Sequence, residues 1–346
     1  MNRRTAIKGA VLGTIAPLFA VSGRPASDFP ADPGVRIIIS PDYMPPVYGQ
    51  KGKDYIYRLG RATLAFMHDR FDGREMPLWG KKPAQVDLEK RIVNIAYWIG
   101  KGTAEFQHVY PLDPAWIMAQ IMAESLFYEF AVSWAFAVGV CQFISPTAKG
   151  YGLVCADDNN LAQSDLKLAH LSGNLDEYYA LQDRIRKLRR SSRIFSEEDE
   201  VLYEALSALN KGDRARWADH YLQILDKEKK LVRLKNQVRD NYTRFLNANF
   251  KNRSIFNQDD LKFLMRFDQR VTYAAPIRAM CKMMATHLKL RRGNILTATA
   301  GYNAGLGNTK VDSHIYGPYG IIPSFEQTVT YVSRIAIHHH EIVSRM

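Results

Sequence analysis

The chain has 346 residues, 47% of them hydrophobic, and a formal charge of +12. Those values place it in the globular range, with material for one large domain or two ordinary ones, and exclude a chain too polar to bury a core. Three cysteines, Cys141, Cys155 and Cys281, are too few and too scattered for a disulfide framework or a Cys-x-x-Cys metal site, which leaves either a Cys141–Cys155 pair or three buried thiols. The positive charge points to a polyanion, whether nucleic acid, an anionic membrane or an acidic wall polymer, without choosing among them.

The first 27 residues read as an export signal. Arg3, Arg4 and Lys8 precede an uncharged stretch from Gly9 to Gly23, whose apolar run is too short to span a bilayer comfortably, and small residues follow as far as Ser27. The paired arginines resemble a twin-arginine signal, with Asn2, Ala6 and Ile7 in place of its usual residues. A periplasmic or cell-envelope location is expected, and an uncleaved anchor is the other reading.

Residues 28–86 form an irregular N-terminal extension rich in Pro, Gly and aromatics, with a β-like run from Val35 to Ile39 and a helical pattern from Tyr55 to Arg70. Helical periodicity returns between Asp87 and His108 through Ile92, Ile95, Ala96 and Ile99. Pro111-Leu112-Asp113-Pro114 then breaks it, with Asp113 placed as an N-cap and Pro114 as the first residue of a new helix. That helix carries Glu124 about three turns in, among Ile121, Met122, Leu126, Phe127 and Phe130. It is expected to end before Ser133, with Gln120 and Phe127 on the side of Glu124 and Glu129 on another face. A carboxyl in such a setting has its charged form disfavoured, which suits a proton donor at neutral pH. A surface acid on an amphipathic helix is the alternative.

The spacing from Glu124 onward resembles the soluble lytic transglycosylases, which cleave bacterial peptidoglycan. Glu124-Ser125-Leu126-Phe127 is followed by Ser133, then by Ala137-Val138-Gly139-Val140-Cys141-Gln142-Phe143, Thr147-Ala148 and Gly150, at the family's distances. Two further blocks keep the family's order: Ala300-Gly301-Tyr302-Asn303-Ala304-Gly305, and Ile322-Pro323 followed by Thr328-Val329-Thr330-Tyr331-Val332. Departures are Phe136 in a Gly position, Val140-Cys141 for Leu-Met, Gln327 in a Glu position and, in a weaker match from Asp268 to Met280, Pro276 for a helix Gly.

The resemblance implies a mainly α, lysozyme-like catalytic domain, with its first part at 87–156 and its second at 263–346. It implies cleavage of the bond between N-acetylmuramic acid and N-acetylglucosamine, Glu124 as the single general acid and base, and a 1,6-anhydro product. Ser133, Gln142, Phe143, Tyr302 and Asn303 take substrate-binding positions. Tyr302 is expected to steer Glu124 or the sugar from across the cleft, although capping, loop and core roles are open to the others. The rivals are a goose-type lysozyme-like hydrolase and a non-catalytic wall-binding or scaffold protein, the latter because a ring at Phe136 is expected to narrow the site.

Residues 157–262 have no counterpart in the compact family domain and read as a helical insertion. Heptad-like spacing runs through Tyr178, Leu181, Ile185 and Leu188, and again from Trp217 to Phe245; a helix through Leu202, Leu206 and Leu209 is expected to be capped by Ser196 with Asp199. The basic run from Arg184 to Arg193 is either a solvated face or a contact for anionic glycan or membrane. Expected partners are peptidoglycan glycan strands and, through the insertion, a protein of the envelope or of a secretion machine. No cofactor, metal or nucleic-acid partner is expected, and His338-His339-His340 on a helix point to different faces.

Overall fold

The computed structural model describes residues 37–212 and 218–346. The expected export signal lies outside these residues, as do Val35, Arg36 and Trp217. The described residues divide into two compact units, one formed by 166–212 with 218–249 and the other by 37–165 with Phe250–Met346.

In chain order the helices are α1 (Gly49–Arg70), α2 (Leu88–Phe106), α3 (Pro114–Ser125), α4 (Ser145–Gly150), α5 (Asn174–Arg190), α6 (Glu198–Asn210), α7 (Ala218–Phe250), α8 (Gln258–Phe267), α9 (Ala274–Leu290), α10 (Ile295–Ala304) and α11 (Glu326–Val343). Among the described residues β-pairing is confined to isolated bridges. The β-like run supplies one of them. Ile39 N donates to Gly293 O and Ile295 N to Ile37 O, but the partner is the turn between α9 and α10, so no ladder propagates.

The larger unit is built around α3. Asp113 caps it, its Oδ1 accepting from Ala115 N at 2.9 Å, and Pro114 occupies a first-turn position where no N–H is needed. Every residue from Pro114 to Met122 is buried. A helix that is apolar all round belongs inside the fold, and α3 packs against α11 and α2, while α1 and α9 pack on α2, α1 also on α11, and α10 on α9 and α11. An amphipathic surface helix is thereby excluded. Pro276 sits in the first turn of α9, where proline is tolerated.

The helix ends earlier than the sequence pattern suggests. Leu126 (φ 49°) and Phe127 (φ 64°) are both left-handed, a conformation that costs an L-residue roughly 1–2 kcal/mol each. Full burial of the Phe127 ring and a hydrogen bond from Trp79 Nε1 to Leu126 O at 2.9 Å oppose that cost. Phe127 and Glu129 therefore leave the helix, and neither occupies the helix face expected for it. The thiols of Cys141, Cys155 and Cys281 are free and buried, with no Cys141–Cys155 disulfide.

In the smaller unit, α5 buries Leu175, Tyr178, Leu181 and Ile185, and α7 buries Val238, Tyr242 and Phe245. Arg189 Nε of α5 donates to Glu228 of α7 at 3.0 Å. Helix α6 differs from expectation. Only Val201 of it is buried while Leu202, Leu206 and Leu209 are exposed, and Glu197 rather than Ser196 is its N-cap. Ser196 Oγ instead donates back to Arg193 O. Part of the basic run is paired within the unit: Arg186 and Lys187 share Asp183, Arg189 meets Glu228, and Arg193 meets Glu197 and Glu204.

Candidate active site

Glu124 lies in the last turn of α3, where the buried helix reaches partial exposure. Desolvation by its apolar neighbours raises its pKa from 4.5 to about 8, against the opposing pull of a Tyr331 hydrogen bond and the more distant charge of Arg334. The Tyr331 hydroxyl donates to Glu124 Oε1 and itself accepts from Gln120 Nε2 at 3.1 Å. Burial holds the Tyr331 hydroxyl well above its ordinary pKa, so it remains a donor. Among the described residues no cation makes an ion pair with Glu124. The carboxyl thus stays protonated at neutral pH while it is open to a ligand.

Ser125, next in the chain, turns inward. Its Oγ reaches Ile121 O at 3.3 Å and Val140 O at 3.1 Å, which ties the end of α3 to the loop that follows.

That loop, residues 131–143, is closed by its own hydrogen bonds and by a buried ion pair. Ser133 N donates to Ala137 O, Gly139 N to Ala131 O and Val138 N to Phe143 O. Ser133 Oγ accepts from Ala137 N at 2.9 Å and Ala135 N at 3.3 Å, and Gln142 Nε2 donates to Gly139 O at 2.8 Å and Ala131 O at 3.2 Å. From 127 residues further on, Arg270 Nη1 donates to Phe143 O at 3.1 Å and to Phe136 O at 3.2 Å. Its other nitrogens hold Asp268 in a fork, Nε to Oδ1 at 2.9 Å and Nη2 to Oδ2 at 2.6 Å, and both side chains are fully enclosed. Gly139 is required by this contact, because a Cβ there would stand 1.8 Å from Arg270 O, at φ 83°.

Phe136 fits the loop although it stands where the resembled family has Gly. Its φ is 62°, the conformation glycine adopts at least cost, and its ring is completely buried. The ring does not project into solvent. Its carbonyl is one of the two that Arg270 holds.

The remaining expected site residues divide. Phe143 is 2% exposed, its ring 5.7 Å from that of Tyr302 and 6.2 Å from that of Tyr151, so it belongs to the core. Tyr302 lies within electrostatic reach of Glu124, but its hydroxyl donates to Cys141 O at 2.7 Å, which fixes it to the loop and leaves the contact with the acid to Tyr331. Asn303 Oδ1 accepts from Thr328 Oγ1 at 2.9 Å, joining α10 to α11 beside Gly305. Gln327 is exposed. Tyr331, Gln120, Asp268 and Arg270 are the residues around this site to which sequence reasoning assigned no role. Tyr331 stood in the third motif block and Asp268 opened the weaker match, but neither position reveals its partner.

Nearby acids are occupied. Glu129, 1% exposed, is gripped by Arg91 Nε at 3.0 Å and Nη2 at 2.7 Å, and the Arg91 guanidinium stands 5.1 Å from the Trp79 ring centroid. Asp157 accepts from Ser145 Oγ at 2.7 Å and Lys149 Nζ at 2.9 Å. Of the three consecutive histidines, His338 is buried edge-on to Phe66, His339 Nε2 meets Asp113 Oδ2 at 2.9 Å, and His340 is exposed.

An accessible, protonated carboxyl at the end of a buried helix, beside a loop held by its own hydrogen bonds, can donate a proton to a bound group. The family model for the Transglycosylase SLT domain matches residues 103–220, and this is the family that the Glu124 motif resembles; its mainly α, lysozyme-like class is the class seen here. The matched span takes in Glu124, Ser133, Gln142 and Phe143 and runs on to the start of α7, whereas Tyr302, Asn303 and Tyr331 lie beyond it. No curated protein and no solved structure matches the chain.

Proposed function

We propose that this chain is an exported peptidoglycan lytic transglycosylase acting in the periplasm or cell envelope, with Glu124 as its single acid and base. The observation that carries this reading is the state of Glu124, a carboxyl partly open to a ligand, uncompensated by any contacting cation among the described residues and with a pKa of about 8. Protonated Glu124 gives its proton to the glycosidic oxygen between N-acetylmuramic acid and N-acetylglucosamine as the C1–O bond breaks. The carboxylate so formed, steadied by the Tyr331 hydroxyl, then takes the proton of the muramyl C6 hydroxyl as that oxygen bonds to C1. Glu124 ends protonated, the sugar ends as a 1,6-anhydro ring, and no water is consumed. Glu129 and Asp157 are both tied to cations, which supports a mechanism with one carboxylate and with help from the substrate's own N-acetyl group.

Digestion of purified sacculi followed by mass spectrometry tests the reading. Anhydro-muropeptides are expected from the parent chain and none from E124Q. Reducing muramic acid ends would replace it with a hydrolase, and no release at all with a wall-binding protein.

A further inference from the structure

Gln120 is an odd residue in its place. It lies one turn before Glu124 in a helix buried on every side, its own exposure is zero, and an amide there must be satisfied or it destabilises the fold. One end is satisfied, Nε2 donating to the Tyr331 hydroxyl at 3.1 Å, while Oε1 is enclosed without a partner. The side chain is thus aimed by a single hydrogen bond, and that bond reaches Glu124 through Tyr331.

The direction of this bond decides where protons sit. A tyrosine hydroxyl has one proton to give. Because Gln120 presents a donor to it, Tyr331 has no acceptor on that side, and its proton goes to Glu124 Oε1. Oε1 must therefore accept, and the acid proton of Glu124 is left to Oε2, the oxygen Tyr331 does not hold. With the amide reversed, Tyr331 would donate to Gln120, Oε1–H would donate to Tyr331, and the proton would be locked inside the protein. We propose that Gln120 is a positioning residue: by donating to Tyr331 it sends the Glu124 proton to Oε2, the oxygen left free to give it away, and it holds the Tyr331 proton ready for the carboxylate left after transfer.

This rests on Glu124 being the general acid, so the test has one arm that needs turnover and one that does not. In the first, Q120M and Y331F are combined in a double-mutant cycle on sacculus digestion. Q120M is expected to lower kcat about 10-fold with KM unchanged, the order of one hydrogen bond, and to have no further effect in Y331F. An equal loss in both backgrounds, or none in the parent, overturns the proposal. In the second, the side-chain amide of Gln120 is followed by 15N NMR across the titration of Glu124 in the full chain. Its Nε2 protons are expected to shift with the Glu124 midpoint in the parent and not in Y331F; an amide that does not shift, or shifts alike in both, overturns it. If the chain releases no product, the functional reading fails, and the NMR arm alone decides the role of Gln120.

Discussion

Glu124 and Glu129 stand five residues apart on either side of the same left-handed turn, and both are withdrawn from bulk water, yet the protein treats them in opposite ways. Glu129 is met by a guanidinium in two-pronged contact, backed by the Trp79 ring. Glu124 is met by a neutral hydroxyl and by apolar walls. A buried carboxylate with a well-placed arginine is a strut whose charge is spent on one partner. A carboxyl given only a hydroxyl keeps its proton until something arrives to take it. What separates structure from chemistry here is the neighbour, not the depth of burial.

That contrast should first appear in activity. E124Q removes the proton without changing shape, and product release from sacculi should fall by at least about 10³-fold while the circular dichroism spectrum is unchanged, since general acid catalysis contributes on that scale. E129Q should do the reverse, leaving Arg91 with an incomplete partner and costing about 3–5 kcal/mol in urea unfolding, with kcat per folded molecule within a few-fold of the parent. Equal losses of activity in the two variants would erase the distinction between the sites.

A second, smaller difference should appear with pH. The folded protein holds the Glu124 proton up to about pH 8, whereas an unfolded glutamate releases it near 4.5. Between those values the unfolded chain binds fewer protons, so the contribution of Glu124 to stability is full below about pH 4.5 and declines as pH rises through 8. E124Q, which does not ionise, should gain in Tm over the parent on going from pH 4.5 to pH 8, as differential scanning calorimetry would show. Activity should fall above the same upper value. The smallest effect belongs to Ser133. Removing an Oγ that accepts from two loop amides, S133A should cost about 1 kcal/mol in urea unfolding, with a change in kcat under 10-fold.

These contrasts were unequally legible in the sequence. The start of α3 could be read directly, because Asp113-Pro114 and the apolar run beyond it are local signals, whereas the fold class came with the family resemblance. The unusual setting of Glu124 was visible in its apolar neighbours. The end of α3 was not, because Leu126 and Phe127 enter the left-handed region without a glycine to announce it. Nor was the partner of the acid, since Tyr331 is 207 residues away in the chain and a motif block places a residue in order, not in contact. Tyr302 looked the better candidate from its motif, and only the path of its hydroxyl to Cys141 O shows why it does not hold Glu124. Phe136 is a related case. Glycine positions reflect either lack of space or a positive φ, and the sequence does not say which; here it is φ.

The fork of Arg270 on Asp268 bears on when the site comes into being. Residues 131–143 close around carbonyls that Arg270 reaches from 127 positions later, after the whole smaller unit has been synthesised. A chain emerging from the ribosome carries Glu124 long before it carries the segment that fastens the neighbouring loop. The loop beside the acid therefore cannot be fastened until Arg270 has been made, and the acid itself waits further still for Tyr331, so the site is complete only when nearly the whole chain is.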